Sequence, residues 1–253
     1  MNTINVTIKD RLALITLNRG KSNALDREML TELTDMLHNI NNDDNIGGVI
    51  ITGREHFFSA GLDLIALYGY NDEEIKSFWK LFLDFTAKLV SFKKPMVAAI
   101  NGHAPAGGCV IALACDARVM AEGKYIIGLN EVPVGIIVPD SIFQLYSFWL
   151  GKANASRNLL EGKLFSPEEA LSIGLVDELV NPASIMTAAE RRIRKYMAME
   201  PNTWQQSKLN IRKELIAATS ADQSDTLEIL LAQWWSPASR NLLKMIIDNL
   251  QKK

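Results

Sequence analysis

The stretch Asn101-Gly102-His103-Ala104-Pro105-Ala106-Gly107-Gly108-Cys109-Val110-Ile111-Ala112-Leu113-Ala114-Cys115-Asp116 decides how this chain is read. Residues 95–100 before it form an apolar run with the length of a buried strand, and Asn101-Gly102 breaks that run. Residues 109–115 are small and apolar, suited to a buried helix. Between the two lies a turn with adjacent glycines. A strand, a glycine turn and a buried helix leave unpaired backbone N–H groups at the helix N-terminus, facing whatever sits there. Gly-x-Gly-x-x-Gly is absent and no Gly-Lys-Ser/Thr follows, so this is neither a dinucleotide fingerprint nor a phosphate loop. Alone, it signals only a tight strand-to-helix connection.

Two further stretches answer it. Phe57-Phe58-Ser59-Ala60-Gly61-Leu62-Asp63-Leu64 is a second small-residue turn, placed after a second buried strand at residues 48–52. Ile126-Ile127-Gly128-Leu129-Asn130-Glu131-Val132-Pro133-Val134-Gly135-Ile136-Ile137-Val138-Pro139 sets one carboxylate in a nearly unbroken apolar run. Together, in this order and at this spacing, the three stretches resemble the crotonase (enoyl-CoA hydratase/isomerase) superfamily over almost the whole chain. Within it they most resemble the mitochondrial-type Δ3,Δ2-enoyl-CoA isomerases, through Ser59-Ala60-Gly61-Leu62-Asp63-Leu64, Pro105-Ala106-Gly107-Gly108-Cys109 and Gly128-Leu129-Asn130-Glu131. The resemblance implies an α/β fold, a crotonase-type spiral of repeated ββα units. Residues 1–181 would form the catalytic core and residues 182–253 a helical C-terminal region. It also implies a homotrimer or hexamer, an acyl-CoA thioester as substrate, and coenzyme A as no more than the carrier of that substrate.

Composition is ordinary for a soluble globular protein and speaks against several other classes. The 253 residues are 48% apolar and 22% charged, enough chain for a sizeable core. A net charge of −2 gives no reason to expect nucleic acid or an anionic membrane as partner. Cys109 and Cys115, six apart on one buried helix, read as small core thiols rather than a disulfide or metal site. His38, His56 and His103 show no i,i+4 metal spacing, so no metal is expected. No apolar run approaches a membrane span. Met1-Asn2-Thr3-Ile4 opens a strand rather than a targeting segment, so a cytoplasmic location is expected.

Along the chain, Ile4, Val6 and Ile8 alternate with polar residues and residues 12–17 follow, which predicts a β-hairpin. Asp26 is placed to cap a helix whose Leu30, Leu33, Leu37 and Ile40 share one face. The loop before it holds Ala24 and Leu25, which the resemblance lays against the coenzyme A nucleotide. Residues 64–88 read as one aromatic-rich helix, and the resemblance places this region over the fatty chain. Strands are expected at residues 116–121 and 124–127, and a helix at 141–150. Ser166-Pro167-Glu168-Glu169 is a capping box. Beyond Pro182 the chain reads all-helical. Arg191, Arg192, Arg194 and Lys195 suit a solvated face. Trp204, Leu227, Leu230, Leu231, Trp234 and Trp235 need cover from the core or from a neighbouring subunit.

The chemistry follows from the thioester. Taking a proton from C2 drives negative charge onto the thioester oxygen, where each preorganised donor is worth about 3 kcal/mol. The resemblance assigns these donors to the N–H groups of Leu62 and Gly107. Ala60, Gly61, Ala106 and Gly107 keep both turns small enough for the carbonyl to approach, and Asp63, Leu64 and Gly108 complete the substrate-binding set. Glu131 is the candidate base, since desolvation raises a carboxyl pKa towards the operating pH. Hydratases of this family carry a second glutamate at the position held here by Val110. One carboxylate suits proton shuttling from C2 to C4 better than water addition, unless Asp140 turns inward. Hydration or thioester hydrolysis on the same scaffold, and acyl-CoA binding without turnover, are the alternatives.

Overall fold

The computed structural model describes residues 1–251. Strands β1 (Ile4–Lys9) and β2 (Leu12–Leu17) form the expected hairpin, pairing Ile4 with Leu17. Helix α1 (Arg27–Asn42) begins at Asp26, whose carboxylate accepts the Met29 N–H at 2.9 Å, a cap worth about 1 kcal/mol. Its predicted face, Leu30, Leu33, Leu37 and Ile40, is buried.

Three ββα units then wind in succession. The first comprises β3 (Gly48–Thr52), β4 (His56–Phe57), α2 (Leu64–Tyr68) and α3 (Asp72–Val90). The second is β5 (Met96–Ile100), β6 (Gly102–Pro105) and α4 (Gly107–Ala114). The third is β7 (Ala117–Ala121), β8 (Ile127–Gly128) and α5 (Asp140–Glu161). In each unit the first strand enters a six-stranded sheet and the second enters a three-stranded one. After α6 (Pro167–Ser172), strand β9 (Glu178–Val180) completes the large sheet in the order β1-β2-β3-β5-β7-β9. The small sheet has the order β4-β6-β8, all parallel.

The small sheet positions the site. Parallel pairing aligns the C-terminal ends of β4, β6 and β8 along one edge, with Phe57 beside His103 and Pro105 beside Gly128. The two small-residue turns and the Glu131 turn leave from those ends.

Several boundaries differ from the sequence expectations. The single helix expected at residues 64–88 is two, because Asn71 and Glu74 make a capping box that starts α3 afresh. The strand expected at 124–127 shrinks to Ile127–Gly128. The helix at 141–150 starts at Asp140 and runs on to Glu161 across a kink at Gly151, whose φ of 72° is left-handed. The capping box at Ser166 and Glu169 forms as predicted.

The C-terminal helices are α7 (Ile185–Met197), α8 (Pro201–Ile211), α9 (Lys213–Ser220), α10 (Ser224–Trp234) and α11 (Pro237–Gln251). Residues 252 and 253 of the expected helical region lie outside the described residues. Helix α7 lays Ile185, Ala188, Ala189 and Ile193 on the face of the large sheet made by Ile50, Val97, Ala99 and Val119. Of its basic side chains, Arg191 and Arg192 pair with Glu178 of β9, and Arg194 pairs with Glu190.

The tail apolar residues find cover within the same chain. Leu227, Leu230 and Trp234 are buried in the main core, and the Trp234 ring meets Trp79 of α3 edge-on at 6.4 Å. Trp235 stays partly exposed at 37%. A second anchor joins α8 to the far end of α4. The ammonium of Lys208 lies 2.8 Å from Asp116, and Arg212 donates to the carbonyls of Ala114 and Cys115. Cations there satisfy the free carbonyls at the C-terminus of a buried helix.

Candidate active site

Helix α4 is apolar on every side and all eight of its residues are buried, so its N-terminus is held in the interior. Ala106 enters it with φ 48° and ψ −121°, a conformation that costs a residue with a Cβ about 1–3 kcal/mol. The strained turn is fastened by the Ala106 N–H donating to Gly128 at 2.8 Å. The Gly107 N–H then points away from any acceptor among the described residues, and so does that of Leu62.

The two turns interlock at glycine. A Cβ on Gly61 would lie 2.9 Å from the Gly107 nitrogen, and one on Gly107 would lie 3.5 Å from the Leu62 nitrogen. Only residues without side chains allow this approach, which sets two free amides beside one another.

The Leu62 turn is braced from the loop before α1. Leu25 pairs with it through Leu25 N–H to Gly61 at 2.7 Å and Asp63 N–H to Leu25 at 3.0 Å. Arg19 bridges Asp26 and Asp63, each at 2.7 Å, and also donates to Ala24. Asn23, buried at φ 50°, donates to Phe57 and Phe58 while its carbonyl accepts the Ser59 hydroxyl at 2.7 Å. Arg19 and Asn23 went unassigned in the sequence reading. Their contacts with the Leu62 turn, Arg19 to Asp63 and Asn23 to Phe57, Phe58 and Ser59, span more than thirty residues, and only the fold joins them.

A cavity of about 100 Å³ opens on the two amides. Ala60, Leu62 and Leu64 line it from the first turn, and Pro105, Ala106 and Gly107 from the second. The third side holds Asn130, Glu131, Val134 and Ile136, with Pro139 and Ile142 beside them, and Trp79 and Phe82 of α3 close it. Trp79 and Phe82 are thus the aromatics over the site that the sequence left unspecified. Of the predicted residues, Glu131, Leu62, Gly107, Ala60, Leu64 and Ala106 converge on the cavity. Gly61, Gly108, Leu25, Asp63 and Ala24 stand behind it and shape the turns. Gly108 packs against the Ser59 carbonyl, and Asp63 caps α2 by accepting the Ala66 N–H.

Glu131 is the sole carboxylate among the residues that line the cavity. Its Oε2 is buried and has no hydrogen-bond partner among the described residues. Burial pushes its pKa from 4.5 up to about 7, with no cation to oppose the shift. The apolar wall differs from the expected one. Ile126 and Val132, its neighbours in sequence, are exposed at 36% and 40%. Val134 and Ile136, also close in sequence, do line the cavity, and Trp79, Phe82 and Ile142 from α3 and α5 complete its dry surroundings. Asp140 does not turn inward. It is exposed, accepts from Gln144 at 3.2 Å, and borders a separate groove. Val110 is buried in α4, where it contributes no charge.

Comparison with known proteins agrees with this arrangement. The family model for enoyl-CoA hydratase/isomerase matches residues 7–244. The chain belongs to the enoyl-CoA hydratase/isomerase family. It is 41% identical over 204 residues to mouse mitochondrial enoyl-CoA delta isomerase 1, a match covering 80% of this chain and 71% of the mouse protein. A short-chain-enoyl-CoA hydratase from Clostridium acetobutylicum is 32% identical over 215 residues, covering 84% and 82% of the two chains. The crystal structure of human mitochondrial Δ3-Δ2-enoyl-CoA isomerase superimposes with a TM-score of 0.95 at 31% identity, covering 99% of this chain and 98% of the human one. Membership fixes the crotonase fold and an enoyl-CoA isomerase or hydratase type of activity. No helix among the described residues is long and apolar enough to cross a membrane.

Proposed function

We propose that this family member is a Δ3,Δ2-enoyl-CoA isomerase, moving the double bond of a 3-enoyl-CoA to position 2. The observation that carries the reading is Glu131, a lone unpartnered carboxyl in an apolar cavity beside two unpaired amides. As carboxylate, Glu131 takes a proton from C2. The electron pair moves onto the thioester oxygen, where the Leu62 and Gly107 N–H groups stabilise the enolate. Glu131 then returns the proton to C4, the C3–C4 double bond is lost, and conjugation with the carbonyl is gained. A single residue serves as base and acid because its raised pKa keeps both forms accessible near neutrality. Coenzyme A enters as the carrier of the acyl group, and neither metal nor nicotinamide takes part in these steps.

The mouse and human isomerases support this reading, while the clostridial relative favours hydration as the second one. Water addition calls for a further group to hold and activate the water, and the lining residues supply no second carboxylate. In deuterated water, a 3-enoyl-CoA should give 2-enoyl-CoA that takes up deuterium only as far as Glu131 exchanges with solvent between the two transfers, and no 3-hydroxyacyl-CoA. A 2-enoyl-CoA should remain unhydrated. Rapid formation of the hydroxy product from either substrate would move the assignment to hydratase.

Assembly is proposed as a trimer or hexamer, as the resemblance implies. Of the apolar tail residues that need cover, Leu227, Leu230 and Trp234 find it within the chain. The support now lies in the apolar side chains left outside, among them Ile211, Ile229 and Met245, at 72%, 59% and 58% exposed. Light scattering should give three or six times the mass of one chain; a monomer at working concentration would overturn the assembly.

A further inference from the structure

Helix α11 packs on two elements at once, α2 and the 3-10 turn Val132–Val134 that follows Glu131. Its contacts with them come from adjacent residues. The Ser239 hydroxyl, itself buried, donates to the Gly135 carbonyl at 3.2 Å and accepts from Gln233 of α10 at 2.7 Å. Gly135 is left-handed, at φ 78°, and ends the turn that starts at Glu131, donating to Val132 at 3.0 Å. A Cβ there would lie 3.2 Å from Leu242 and 3.4 Å from the Ser239 hydroxyl, so α11 sits directly on this turn.

Arg240 reaches the other way. Its guanidinium donates to the Tyr68 carbonyl at 2.8 Å and lies 3.5 Å from the centre of the Tyr68 ring, with the Trp235 ring at 4.9 Å. No carboxylate pairs with it among the described residues, and its Nη1 is buried without a partner. The cation is therefore held by ring faces and one carbonyl rather than by a counter-charge. Tyr68 is the last residue of α2, which has five residues and starts immediately after Leu62 and its cap Asp63. A helix that short has no stability of its own, so its position is set by what grips its end.

We propose that Ser239 and Arg240 form a clamp that sets the spacing between Glu131 and the Leu62 amide. They are positioning residues: one holds the turn that carries the base, the other the helix that follows the amide. The proposal rests on the isomerase reading above. Releasing either grip removes no residue that lines the cavity and misaligns base against donor. Misplacement by about 1 Å costs about 10²-fold in rate. The loss should therefore fall on kcat and spare KM.

The test measures isomerisation of a 3-enoyl-CoA by wild type, Arg240→Met, Arg240→Lys, Ser239→Ala and the Ser239→Ala/Arg240→Met double variant, with thermal unfolding in parallel. Arg240→Met should lower kcat by about 10–10²-fold and change KM by less than about threefold. Arg240→Lys, which keeps a donor for Tyr68, should recover most of the loss. Ser239→Ala should lower kcat by about tenfold, and the double variant should lose less than the product of the singles, since both open one clamp. Should Arg240→Met fail to fold, Ser239→Ala and Arg240→Lys carry the same comparison. An active wild type whose variants keep kcat within twofold, or lose it only in step with the folded fraction, overturns the clamp alone. A wild type that folds and shows no isomerase activity overturns the functional reading and the clamp with it.

Discussion

Replacing Glu131 with glutamine should leave a folded protein that binds acyl-CoA and isomerises it at least about 10²–10⁴-fold more slowly, the range for removal of a general base. The upper end is expected because no second carboxylate lines the cavity to take over. The same substitution should change stability with a definite sign. The folded state raises the Glu131 pKa from 4.5 to about 7, so it favours the neutral carboxyl. That favourable contribution is full below pH 4.5 and is lost as pH rises through 7, where a charge must be held without a partner. Glutamine carries no such charge. The variant should match wild type near pH 4 and exceed it at pH 8 by about 3 kcal/mol. Catalysis should follow the opposite course in the wild type. Its kcat/KM should rise as Glu131 ionises, with a midpoint near 7, and level off above. Near wild-type activity in the glutamine variant would remove Glu131 from the mechanism.

The second large effect is expected at Gly107→Ala. The added methyl would lie 2.8 Å from Leu25, 3.2 Å from the Gly61 Cα and 3.5 Å from the Leu62 nitrogen. The Leu25 side chain must move aside and the Gly61 backbone must give by a few tenths of an ångström, which shifts one turn against the other. Losing one oxyanion donor costs about 10²–10³-fold in kcat, and this change disturbs the surroundings of both. The variant should retain the acid limb near pH 7, because Glu131 and the helices that dry it are untouched. That combination separates a damaged oxyanion site from a damaged base. A kcat within about threefold of wild type would show that the two amides do not stabilise the enolate.

Much of this site was legible from the sequence because its parts are local. Each turn is a contiguous run whose small residues have a direct steric reason, and Glu131 stands out as a charge among apolar neighbours. The hairpin, α1, α4 and the Ser166 capping box were readable for the same reason, since their periodicity or cap lies within a few residues. What the sequence concealed is the frame that gathers the parts. Strands β4 and β8 have two residues each, too few for an alternation of period two to be visible. Yet they set the register that brings all three turns to one edge.

The surroundings of Glu131 illustrate the same limit. Adjacency in sequence pointed to the apolar residues on both sides as its cover: Val134 and Ile136 do line the cavity, whereas Ile126 and Val132 are exposed. Trp79, Phe82 and Ile142 supply the rest of the cover, and their spacing along α3 and α5 reads only as buried helix faces. Asp140 starts α5 with its carboxylate exposed, accepting from Gln144 one helical turn on, which keeps it from the cavity. The split between α2 and α3 turned on Asn71 and Glu74, a box legible in retrospect. The docking of Trp234 on Trp79 depends on a return of the chain that no local pattern encodes.

The central claim is that one carboxyl in a dry cavity carries a proton from C2 to C4. It is tested most directly with a 3-enoyl-CoA deuterated at C2 and turned over in ordinary water, with the product analysed early in the reaction. The account predicts deuterium at C4 of the 2-enoyl-CoA, diluted only by exchange at Glu131 between the two transfers. A product whose C4 hydrogen comes wholly from solvent at the earliest turnover would contradict the carriage of one proton from C2 to C4.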